Sequence, residues 1–125
     1  MQYILLIYND ESMMKTAGPG DREMMFKAYG EFTQSIVSSG HMKAGEALQP
    51  TSTATTVRVR DGKTLTTDGP FAETKEQLGG YYLVEARDLD EATKLAARIP
   101  GARKGAIEVR PVMELPPDYP RPKRA

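Results

Sequence analysis

Tyr3-Ile4-Leu5-Leu6-Ile7-Tyr8 is an unbroken apolar run, partly β-branched, closed by the polar pair Asn9-Asp10. A strand with one wet face alternates apolar and polar side chains. This run does not alternate, so it reads as a strand buried on both faces, in the middle of a sheet. Residues 9–20 are polar and end in Gly18-Pro19-Gly20, a loop. From Asp21, a fitting N-cap, Met25, Tyr29, Phe32 and Ile36 recur at helical spacing, with Met24, Ala28 and Val37 widening the stripe. Gly40 supplies the left-handed stop common at helix ends.

Further along, Met42, Ala44, Glu46 and Leu48 share one face of a short strand that Pro50 ends. Residues 55–60 and 63–67 flank Asp61-Gly62, a strong hairpin signal, with Val57 and Val59 on one side and Arg58 and Arg60 on a wet side. Residues 81–86 read as a strand. Asp88 caps a second helix in a capping-box pattern with Glu91, and Leu89, Ala92, Leu95, Ala96 and Ile99 form its apolar face. Pro100-Gly101 stops that helix, and residues 106–112 make the last strand.

The order β-α-β, hairpin, β-α-β predicts an α+β fold, a ferredoxin-like split βαβ with an inserted β-hairpin and both helices on one face of an antiparallel sheet. The other face is then partly apolar and uncovered, and the simplest cover is a second copy, giving a homodimer. Residues 1–113 form this single domain. Residues 114–125 are a Pro-rich tail ending Arg121-Pro122-Lys123-Arg124, read as a mobile extended end or an arm across the partner subunit.

A chain of 125 residues suits one domain. Seventeen basic and seventeen acidic residues cancel, so no global field draws the protein to nucleic acid or to an anionic membrane. The apolar run after Met1 is too short to span a bilayer and lacks the basic flank of a signal peptide, so a cytoplasmic location is expected. There is no cysteine and one histidine, His41, which suits a helix-end cap or a surface position better than catalysis. No metal site and no cofactor are expected, because neither ligand spacings nor a phosphate-binding glycine pattern is present.

The candidate site lies in Asp68-Gly69-Pro70-Phe71-Ala72-Glu73-Thr74-Lys75-Glu76-Gln77-Leu78-Gly79-Gly80, a connection much longer than two strands need. Gly69-Pro70 makes a rigid corner that would hold the Asp68 carboxylate, and Phe71 would plug an apolar gap beside it. Asp68 reads either as an acid/base group or as an Asx turn accepting local backbone N–H groups. Glu73, Lys75 and Glu76 are solvated charges or, in the case of Lys75, a holder of a ligand's anionic group. Gly79-Gly80 permits close approach of backbone to a ligand or a facing chain. Glu46, the odd member of an apolar face, must find a partner, stay protonated or reach water. Tyr29 packs in the core, and its hydroxyl would look to Glu46 or Asp68 for a partner.

Residues 3–8, Ala44-Gly45-Glu46-Ala47-Leu48, residues 55–60, the 68–82 run and Glu108-Val109-Arg110-Pro111 together resemble the DGPF-domain group of the YCII-related proteins. The resemblance implies a dimeric α+β barrel of ferredoxin-like subunits. Many members lie in bacterial gene neighbourhoods with extracytoplasmic-function sigma factors. Better-known relatives carry a His on the first helix and an Asp before a proline near the second helix's end, a proposed active pair. Here the His place falls at Tyr29, and Arg98-Ile99 precede Pro100, so that Asp is absent. Any acid must come from Asp68, Glu46 or Glu73. Two functions follow. One is a non-redox acid/base enzyme with a small-molecule cleft between sheet, first helix and loop, using Asp68, Glu46 and Tyr29 as catalytic groups, with Gly69, Phe71, Glu73, Lys75, Gly79 and Gly80 at the ligand. The other is a non-catalytic sensor or accessory protein linked to sigma-factor regulation.

Overall fold

A computed structural model describes residues 1–121; residues 122–125, the basic end of the predicted tail, lie outside the described residues. The elements are β1 (Gln2–Asn9), α1 (Glu11–Lys15), α2 (Pro19–Ser38), β2 (Met42–Ala47), β3 (Thr55–Arg60), β4 (Lys63–Asp68), β5 (Gln77–Glu85), α3 (Leu89–Ala97) and β6 (Ala106–Pro111), with 3-10 turns at Thr51–Thr53 and Pro100–Arg103. The protein is a mixed α+β fold. Its main sheet has the order β2-β5-β1-β6, with every neighbouring pair antiparallel. Each long helix therefore joins two strands separated by one other: α2 carries the chain from β1 to β2, and α3 from β5 to β6.

The apolar run of β1 is central, as its composition predicts, but its two faces differ. Tyr3, Leu5 and Ile7 are buried, whereas Ile4, Leu6 and Tyr8 are only half-buried. The buried set packs with Tyr82 and Val84 of β5, Phe32 and Ile36 of α2, and Ala92, Leu95, Ala96 and Ile99 at α3. Phe32 meets Tyr82 edge-on at 5.2 Å and 71°, and the Tyr82 hydroxyl lies 2.7 Å from that of Thr33. The buried aromatic thus keeps a polar partner for its tip.

Local chemistry sets the element ends. The Gly18 N–H donates to Asp21 Oδ2 at 3.1 Å, so Asp21 sits inside the first turn of α2 and caps from there. Gly40 has φ 83°, the left-handed stop expected of it. Asp88 accepts from the Glu91 N–H at 2.9 Å, the predicted cap of α3. In the hairpin, Asp61 (φ 51°) and Gly62 (φ 73°) both adopt positive φ, the mirror-image turn that matches strand twist.

Four expectations need correction. Residues 9–20 contain α1, a five-residue helix capped by Asp10 that buries no side chain and so leaves no apolar period to read. β2 shifts register between Met42 and Ala44, so Met42 packs on the core while Ala44 and Glu46 face away. β5 begins at Gln77, leaving residues 69–76 as the connection, much shorter than the 68–80 segment suggested. Finally, the hairpin has no dry side. β3 and β4 form their own two-stranded sheet, with Val57 59% and Val59 60% exposed.

Candidate functional site

Asp68 ends β4 opposite Thr55 and is exposed. The corner after it is built from backbone: Gly69 takes φ 107°, its N–H donates to the Ala54 carbonyl at 2.8 Å, and its own carbonyl accepts from Thr56 Oγ1 at 2.9 Å. Only glycine adopts that φ without strain. Phe71 does not plug a gap. It is 77% exposed, and Arg58 holds its guanidinium 5.1 Å from the ring centroid. That contact gives Arg58, on the wet side of the hairpin, an aromatic partner from the connection.

The 69–76 connection is anchored at its far end by groups that carry no motif. Gln77 Oε1 accepts the Glu11 N–H at 2.9 Å, and the Glu11 carboxylate accepts the Thr51 N–H at 2.9 Å and the Thr51 hydroxyl at 2.7 Å. Helix α1, the Thr51–Thr53 turn and the start of β5 are tied together in this way. Lys75 and Glu73 are exposed. Asp10 has its carboxyl held below the usual range, first by the hydrogen bonds from Ser12 and, least, by the charge of Lys75. Gly79 and Gly80 belong to β5. A Cβ on Gly80 would lie 2.8 Å from the Glu46 carbonyl oxygen, and one on Gly79 would lie 3.1 Å from Asn9 Oδ1. The close approach expected of this pair is therefore to β2 and β1.

Tyr29 faces the core side, and its hydroxyl accepts the Gly101 N–H at 3.2 Å. Burial pushes its pKa up, the Tyr82 phenol adds to the rise, and the Gly101 hydrogen bond opposes it. The phenol thus stays protonated well into alkaline solution. Glu46 projects from the opposite sheet face and is exposed. Among the described residues no hydrogen bond joins Tyr29 to Glu46 or Asp68, and the expected Tyr–carboxylate pair is replaced by Tyr29–Gly101. Neither of two hollows on the helix side, one between α2 and α3 and one beside β6, is lined by any of the three.

The strand register places Glu46, Tyr81, Leu6 and Glu108 in one row across the uncovered sheet face. Sequence alternation in β6, with Ile107 and Val109 against Glu108 and Arg110, carried one end of this row, but the apolar runs of β1 and β5 masked which of their faces is covered.

His41 joins the two helices. Its Nδ1 is 2.6 Å from Ser39 Oγ and its Nε2 is 3.3 Å from Glu91 Oε1. Serine, histidine and glutamate in a line resemble a hydrolytic relay, but the local N–H groups that would stabilise an oxyanion are committed. Those of Ser39, Gly40 and His41 donate to Ser35, Val37 and Ile36 carbonyls. The line works as a clamp from the end of α2 to the start of α3. Arg87 reinforces it with its N–H on Glu91 Oε1 at 3.0 Å and its guanidinium on Oε2. Among the described residues no three His, Asp or Glu side chains gather as a metal site requires.

The YCII-related domain model matches residues 1–116, nearly the whole described chain. The chain belongs to the YCII-related family. An uncharacterized protein of Rhizobium meliloti (strain 1021) is similar to this YCII-related chain, with 39% identity over 114 residues, covering 90% of this chain and 92% of the relative. The family match thus extends across sheet, helices and hairpin together and runs to residue 116, just inside the proline-rich tail. No helix among the described residues of this YCII-related protein is long and apolar enough to cross a membrane.

Proposed function

We propose that this protein is a DGPF-type member of the family, a ferredoxin-like subunit that pairs as a dimeric α+β barrel and serves as a ligand-binding accessory or sensor protein. The interleaved order β2-β5-β1-β6 supports the ferredoxin-like reading. Support for pairing comes from two apolar surfaces left open by one chain, the sheet face of Ile4, Leu6 and Tyr8 and the hairpin side of Val57 and Val59. Loops and sheet edges around the seam, including Asp68, Lys75 and Glu46, then border a cleft for a small molecule. The observation that favours binding over proton transfer is the Tyr29 hydroxyl, engaged with Gly101 and separate from both carboxylates. The link to bacterial sigma-factor regulation is what resemblance to the DGPF group supports.

A second reading, a non-redox acid/base enzyme, draws on the Glu46–Tyr81–Leu6–Glu108 row. A covering subunit would desolvate that row and give its carboxylates the perturbed environment such chemistry needs.

Sedimentation at micromolar concentration should give a dimer; monomer alone would remove the shared cleft. A thermal-shift screen of metabolites should then find a stabilising ligand. Asp68→Asn and Glu46→Gln should keep fold and dimer and weaken that ligand while it emerges chemically unchanged. Turnover abolished by either substitution would favour the enzyme.

A further inference from the structure

A cleft of about 580 Å3 opens between α2 and the α3 end with its Pro100–Arg103 turn, on the helix side of the molecule. Ligand pockets commonly span roughly 300–1,000 Å3. Ala28, Phe32, Ala97 and Pro100 supply its apolar lining, and Arg98 and Arg103 its positive charge. The Arg98 side chain is fixed from two directions. Its guanidinium stands 5.6 Å from the Phe32 ring centroid, and its Nη2 donates to Ser35 Oγ at 2.6 Å. Ser35 Oγ in turn donates to the Phe32 carbonyl at 2.6 Å, so it acts as a committed acceptor for the arginine. A surface arginine resting on an aromatic ring is commonplace. Two guanidiniums at one concave surface, neither in an ion pair among the described residues, are less so. Glu31 also lines the cleft and pairs with neither.

We infer that this cleft binds a small monocarboxylate with a ring-sized apolar body, the carboxylate meeting Arg98 and Arg103 and the body lying against Phe32, Ala97 and Pro100. The planar guanidinium fork matches the two oxygens of a carboxylate. Two cations against one Glu31 leave a net single positive charge, which suits a monoanion better than a phosphate dianion. The cleft's lining shares no residue with either surface assigned to the second copy, so the inference does not rest on that reading.

Calorimetric titration of the full chain with benzoate tests the assignment, with benzyl alcohol and inorganic phosphate as comparators. Benzoate should bind at least tenfold more tightly than either. Arg103→Gln and Arg98→Gln should each weaken it about tenfold, the loss of one charge-assisted contact, and Arg60→Gln on the hairpin should not. The Arg103 side chain is exposed and enters no ion pair among the described residues, so its variant reads binding even where loss of Arg98 disturbs packing. Heat-free titration at millimolar benzoate, equal binding of benzyl alcohol, tighter binding of phosphate, or unaltered affinity in Arg103→Gln would each overturn the proposal.

Discussion

Two glycines show how far one Cβ decides the outcome. At Gly105 it would sit 2.0 Å from the Tyr8 carbonyl oxygen, a backbone atom that cannot step aside. At Gly30, in the exposed interior of α2, nothing lies within 4 Å. Urea unfolding should therefore show Gly105→Ala losing about 1–3 kcal/mol to overpacking. Gly30→Ala should gain roughly 0.5–1 kcal/mol, because alanine removes the entropy cost of a helical glycine. Equal effects would mean that neither environment is as described. At the same scale the bend after Asp68 was legible, since Gly-Pro punctuation and a positive φ are local matters. The positions of Phe71 and of the Tyr29 hydroxyl were not, because each depends on a partner distant in the chain, Arg58 across the hairpin and Gly101 beyond α3.

Among elements, the clamp from α2 to α3 converts acidity into stability. Glu91 lies below its ordinary value of 4.5, chiefly through the Arg87 N–H, with the charge of Arg87 and the His41 ring adding to the effect and desolvation opposing it. A depressed carboxyl contributes stability above its unfolded value, and that contribution disappears as pH falls through the folded one. Unfolding midpoints should thus drop on acidification below about pH 4.5, and Glu91→Gln should flatten that slope while lowering stability at pH 7. A variant with an unchanged acid limb would remove Glu91 from the clamp. The sequence announced α3, its cap and the hairpin turn through short-range signals. It concealed α1, which buries nothing, and the first residues of β5, where glycines that look like loop are required by neighbouring strands.

For the molecule as a whole, the decisive property is the unequal covering of the sheet. Leu6 faces the uncovered side beside Tyr81, so Leu6→Asp should leave a folded protomer that sediments as monomer, whereas Leu5→Ala on the helix side should cost about 2–5 kcal/mol of stability. A Leu6→Asp protein that stays dimeric would move the pairing surface elsewhere. This asymmetry could not be read from β1, whose six consecutive apolar side chains look alike on both faces. The projecting ribbon of β3 and β4 has a practical corollary. Two strands alone are marginal in water, so its amide protons should trade for deuterium quickly in a dilute, separated protomer and slowly in the assembled form. Isotope uptake along Thr55–Arg60 would then gauge assembly in the unaltered protein.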